Sequence, residues 1–133
     1  MEKEIIDLEA LCNWPSPSEL KAKAALEALG YEVQMVTQDS NYWYKDIDIL
    51  ATKDGITKSY EVKWDSRLAT TGNIFIETIS NISTDRKGWL YYCEADFLLY
   101  GDAAANTFYI IPMLQLKEHL ATNYFREVWI GYT

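Results

Sequence analysis

Asp48, Glu61 and Lys63 form the grouping in this chain with the clearest chemical potential. They sit on the two arms of one hairpin. Asp48 to Lys63 reads as two short strands joined by Asp54-Gly55, and Asp-Gly between alternating runs is the strongest local signal for a two-residue turn. Centring the turn there pairs Lys53 with Ile56, Leu50 with Ser59, Asp48 with Glu61 and Asp46 with Lys63. Opposed residues share a face, with Cβ atoms roughly 4.5–5.5 Å apart. Two carboxylates so placed repel, and a divalent cation between them removes the penalty. Mg²⁺ or Mn²⁺ suits such hard oxygen ligands. Lys63 follows Glu61 by two positions and shares its face. The spacing predicts a metal site with an ammonium beside it. The competing reading is a surface hairpin whose acid–acid clash is relieved by Lys58 or Lys63.

Asp48 followed by Glu61-Val62-Lys63 resembles the PD-(D/E)XK nuclease superfamily, with Ile47 where that motif often has Pro. The similarity extends through Thr71 to Glu77 and through Gly88-Trp89 and Glu94-Ala95-Asp96, which look like small phage and resolvase-type members. It covers Ser16 to Leu120. The resemblance implies an α/β fold of restriction-endonuclease type, a central mixed β-sheet with flanking helices. It implies Mg²⁺- or Mn²⁺-dependent hydrolysis of DNA, with Asp48, Glu61 and the main-chain carbonyl of Val62 as metal ligands. It also makes Glu19, on the first turn of a helix, a candidate to complete the site. Lys63 would orient or deprotonate a water, or stabilise the phosphorane. An ammonium beside two carboxylates stays protonated, so the electrostatic role is the one expected.

The other acids carry two readings each. Glu19 completes a capping box with Ser16, which accounts for it without any metal. Asp46 is an ion-pair partner of Lys63, or the true metal acid if the register slips by two. Glu77, between Phe75 and Ile79 on its strand face, needs a partner there; it is either turned to the site or ion-paired.

The elements that must position these residues emerge from the rest of the chain. Glu2 to Cys12 reads as a short amphipathic helix. Ser16-Pro17-Ser18-Glu19 opens a better one, with Ala22, Ala25, Leu26 and Leu29 at helical spacing and Gly30 as its stop. Strands are expected at Tyr31–Val36, Asp46–Thr52, Ile56–Trp64, Asn73–Ser80, Asp96–Tyr100 and Phe108–Ile111. Thr84 to Glu94 is ambiguous and starts helical. A helix follows Pro112 from Met113 to Ala121, and Tyr124 to Tyr132 adds an edge strand. Helix, strands and helix in this order make an α/β sheet.

The length of 133 residues suits a single domain, 1–133, and 49% apolar residues suffice for a core. No apolar run is long enough to cross a bilayer, and the charged start lacks a signal-peptide core. Cys12 and Cys93, without a CxxC, read as free core thiols in a reducing compartment. A cytoplasmic protein of a bacterial or phage-infected cell is expected. His119, the sole histidine, reads as a surface residue and excludes a His-based triad.

The formal net charge of −8 argues against a nucleic-acid enzyme, because phosphate binding shows as a basic surface. Acids that ligate a cation are offset locally. Arg67, Arg86 and Lys87 recur near the site as nucleic-acid contacts. Tyr42-Trp43-Tyr44 either stacks on bases or packs at the rim, and Trp89-Leu90-Tyr91-Tyr92 reads as core. The expected partner is DNA, branched or single-stranded, with a protein partner needed if the acidic surface weakens binding, and a homodimer if duplex is cut symmetrically. The alternative from a different class is an inactive nuclease-fold protein serving as a protein-interaction module.

Overall fold

The computed structural model describes residues 16–76, 79–81 and 86–123. Helix α1 spans Pro17–Ala28. Its start is fixed locally. Ser16 accepts the Glu19 N–H on Oγ (3.2 Å) and donates to Glu19 Oε1 (2.9 Å), and Pro17 takes the first helical position. Gly30, at φ +94°, donates to the Glu27 carbonyl while Tyr31 donates to Leu26, closing the helix.

Strands β1 (Glu32–Met35), β2 (Ile49–Lys53) and β3 (Ile56–Asp65) form an antiparallel meander. Asp54 and Gly55 take φ +53° and +77°, the double positive φ of a type I′ turn, and the register follows the expected pairing from Lys53–Ile56 to Ile49–Tyr60. After a one-turn helix α2 (Leu68–Thr71), the short strands β4 (Ile79–Asn81) and β5 (Arg86–Lys87) pair separately. Helix α3 is the turn Trp89–Tyr92. Strand β6 (Phe97–Asp102) then joins β3 in parallel, β7 (Thr107–Pro112) pairs antiparallel with β6, and α4 spans Met113–Thr122. The main sheet has the order β1-β2-β3-β6-β7 and is mixed, with one parallel and three antiparallel pairings, an arrangement common in α/β folds.

Both faces of the sheet are covered. Ala22 and Leu26 of α1 bury against Ile49, Ala51, Tyr60, Val62 and Leu99. On the opposite face Leu98, Tyr100, Val36, Ile47, Leu90, Cys93 and Met113 form a second core. Alternation along β6 sends Leu98 and Leu99 to different cores, so this central strand is buried on both faces from Leu98 to Gly101. Each fully buried Leu contributes roughly 1.5–3 kcal/mol. Gly101 faces Trp64 across the parallel pair. A Cβ there would lie 2.1 Å from the indole, so only glycine lets Trp64 lie flat and reach Phe108.

Several expectations are corrected. Asp46 and Asp48 lie outside the strand, which begins at Ile49, because Asp46 turns the chain with φ +57°. Residues 72–76 are not a strand; Gly72 caps α2 in the left-handed region and redirects the chain. Of the ambiguous 84–94 segment, the described part is β5 and the short α3 rather than a longer helix, since extended Gly88 separates them. Tyr91 and Tyr92 are exposed rather than core: a single turn buries one side, and Leu90 takes it. The expected helix at Glu2 to Cys12, the edge strand at Tyr124 to Tyr132, Cys12 and Glu77 lie outside the described residues.

Candidate active site

The acids gather where β1 ends, β2 begins and β3 continues past β2 paired only with β6. Ile49 is the ladder partner of Tyr60, yet the N–H of Asp48 also points to the Tyr60 carbonyl (2.9 Å). Two residues oppose one, which is a β-bulge. The bulge removes Asp48 from the direct pairing with Glu61 that the hairpin register predicts. It turns the Asp48 carboxylate along the sheet edge, where Oδ2 accepts the Val62 N–H (2.8 Å). In an extended strand a residue's carbonyl points to the same side as its own N–H. The Val62 carbonyl therefore faces the space beside Asp48.

Thr37, just past β1, ties two acids together. Its Oγ1 lies 2.5 Å from Glu19 Oε2 and 3.3 Å from Asp48 Oδ1. Glu19 serves the capping box with one carboxylate oxygen, and its other oxygen shares Thr37 with Asp48. Sequence reading missed Thr37. Its hydroxyl acquires meaning only when α1 and β2 meet at the end of β1, and no local pattern marks it.

Glu61 is 6% exposed. Lys63 Nζ stands 3.4 Å from its Oε1 and 4.7 Å from the centre of the Trp89 ring. Burial and the nearby Asp48 and Asp46 charges push the Glu61 carboxyl up to about 9 despite Lys63. One ammonium, a third exposed, does not outweigh burial plus two acids. Asp48 is raised by burial and by Glu19, against the Val62 hydrogen bond. Asp46 is raised by burial, which the Lys63 charge offsets in part; the expected Asp46–Lys63 ion pair does not form, and Lys63 pairs with Glu61 instead.

A mutually repelling acid cluster with a buried carboxyl held above its ordinary range is stabilised by a divalent cation, which would displace the proton. Among the described residues no three His, Cys, Asp or Glu side chains form a ready-made metal cage. Mg²⁺ does not require one, since it is held by one or two carboxylates, waters and substrate phosphates. Asp48, Glu61 and the Val62 carbonyl fit that donor set.

The remaining expected residues are dispersed. Arg67 is exposed at the start of α2, with its backbone N–H on Asp65 Oδ1 (2.7 Å), and lines an open groove with Lys63, Phe75 and Tyr100. Lys87 Nζ lies 5.2 Å over the Tyr91 ring. Arg86 belongs to β5, and its side chain lies outside the description. His119 is exposed, with its ring nitrogen 3.1 Å from Asn123 Nδ2, as a surface residue should be. Cys93 is a buried thiol. A shallow groove over β1 and β2, lined by Glu32, Gln34, Thr52 and Thr57, is separate from the acids.

The five-stranded mixed sheet with its flanking helices is an α/β architecture that solved proteins share. A solved structure with this architecture is that of the bacterial homing endonuclease I-Ssp6803I. The two are 19% identical with a TM-score of 0.53, and the match covers 77% of this chain and 64% of that one. The chain thus spans less than two thirds of the length of that endonuclease. No family profile and no curated protein matches the sequence. Among the described residues no helix is long and apolar enough to cross a membrane.

Proposed function

We propose that this chain hydrolyses phosphodiester bonds of DNA, with Mg²⁺ or Mn²⁺ held by Asp48, Glu61 and the Val62 carbonyl. The observation that carries the proposal is the bulge-aimed Asp48 beside buried Glu61 and its half-buried partner Lys63, on a fold shared with a homing endonuclease. The bound cation would supply charge stabilisation for a phosphate in the transition state and a water of lowered pKa. Lys63, held between Glu61 and Trp89, would place its ammonium on the developing phosphate charge. Thr37 would hold Asp48 and Glu19 in their relative positions.

A panel of duplex, single-stranded and branched DNA with Mn²⁺ at low salt tests this. Cleavage is expected, stopped by chelator, and largely lost in Lys63→Ala while metal still binds. Metal binding without cleavage of any DNA or RNA would favour the second reading, an interaction module. The net charge of −8 and the exposed Tyr109, Ile110 and Leu114 on β7 and α4 favour that reading.

A further inference from the structure

Two aromatic turns border the acid cluster. Trp43 and Tyr44, in a 3-10 turn over Trp43–Lys45, are 59% and 57% exposed; Tyr91 and Tyr92 of α3 are 57% and 52% exposed. Aromatic rings of this size are normally buried. The two turns are locked together, because Glu94 N–H donates to the Lys45 carbonyl (2.9 Å) and Cys93 Sγ lies 3.5 Å from the Asp46 carbonyl. Beneath them Tyr42, Trp89, Leu90 and Ile47 pack in one core. Lysines are interleaved with the rings. Lys45 Nζ lies 5.6 Å over Tyr44, Lys87 Nζ 5.2 Å over Tyr91, and Lys63 Nζ 4.7 Å over Trp89. In a chain of net charge −8, this edge carries three lysines, with Asp46 and Glu94 beside them. Asp46 directly follows the first turn and Lys63 of β3 lies over Trp89 of the second, so a strand lying on the rim is delivered to the acids.

We propose that the rim formed by Trp43, Tyr44, Tyr91 and Tyr92 is a stacking platform for unpaired nucleotides, which makes single-stranded segments of DNA the preferred substrate. The proposal names the substrate form, and it rests on the nuclease reading only for the cleavage of the bound strand. Exposed rings offer π-faces that any base can use once unstacked from a duplex, and ammonium groups between them meet the intervening phosphates. Duplex DNA hides its base faces and offers this rim only phosphates, which the acidic remainder of the surface repels. Three lysines at the rim predict a shallow salt dependence, with a log–log slope of about −2 for single strands.

The test is a binding titration in EDTA, which separates recognition from cleavage. A fluorescein-labelled oligothymidylate of roughly twelve nucleotides, within the span of known single-strand sites, is titrated with protein and compared with a duplex of the same length. Single-stranded binding is expected to be at least about ten-fold tighter, to quench Trp fluorescence, and to weaken roughly ten-fold in Trp43→Ala and in Tyr91→Ala. Trp43→Phe, which keeps a ring, should restore most of the affinity. Both side chains are exposed, so far-UV circular dichroism should show intact folds. Equal affinity for duplex, or alanine variants that bind like wild type, overturns the platform. The two readings fail separately. Ring-dependent binding without metal-dependent cleavage leaves the platform standing and sinks the nuclease. Cleavage whose single-strand to duplex ratio is unchanged in the ring variants does the reverse.

Discussion

Replacing Glu61 with Gln removes a buried ionisable group while keeping its shape and its ability to accept from Lys63. In the unfolded chain Glu61 releases its proton near 4.5; in the folded protein burial and the neighbouring acids delay this to about 9. Between those values the folded state holds one more proton, so raising the pH favours unfolding. The stability is full below 4.5 and is lost progressively as the pH climbs to about 9. Each pH unit in that window costs about 1.4 kcal/mol at most, so at pH 7 the wild type is disadvantaged against a neutral group by up to about 3 kcal/mol, and at pH 9 by about twice that. Lys63 and water penetration reduce the figure, and half of it is a fair expectation. Glu61→Gln should therefore be more stable than wild type in chelator, with an advantage that is small at pH 5 and grows toward pH 9. Urea unfolding of both proteins at pH 5, 6, 7, 8 and 9 measures it. A difference that is flat with pH, or that shrinks as pH rises, would refute the picture of a Glu61 held protonated by its surroundings.

Mn²⁺ or Mg²⁺ should raise the melting temperature of the wild type at neutral pH, by about 1.4 kcal/mol of stability at ten times Kd, and Glu61→Gln should lose the shift; an equal shift in both proteins places the ion elsewhere. Gly101→Ala should destabilise by at least about 2 kcal/mol in urea unfolding, because the added methyl drives into Trp64; a change under about 0.5 kcal/mol would show that Trp64 moves freely. Cys93, 1% exposed and with its thiol pushed up to about 12 mainly by burial, should resist maleimide in the native state and react on unfolding, as read by mass-resolved labelling.

Much of the framework was legible in the sequence because its signals are local. The capping box at Ser16 and Glu19 fixed the start of α1, and Asp54-Gly55 fixed both the turn type and the hairpin register. Parity along β3 placed Glu61 and Lys63 on one face and Tyr60 and Val62 on the other, as the two cores require. Pro112 correctly marked the entry to α4. Failures occurred where a residue's conformation answered to distant groups. Asp46 reads as strand by pattern, but its left-handed φ is held by a chain turn docked against Cys93 and Glu94. Tyr91 and Tyr92 read as core by composition, but a single helical turn has one inner side and Leu90 occupies it.

The sequence by itself determined that Glu61 and Lys63 share a face and how the hairpin pairs back to Ile49, because a two-residue turn and a period of two leave that stretch little freedom. Only the tertiary structure decided where Asp46, Asp48 and Glu19 sit beside them and how all are aimed. The bulge at Asp48, the Thr37 hydroxyl between Glu19 and Asp48, and the Trp89 ring under Lys63 all depend on segments separated in the chain. The protonation of Glu61 is likewise a tertiary property. A carboxyl's pKa is set by the water it loses and the charges it meets on folding, and neither is written in its sequence neighbours.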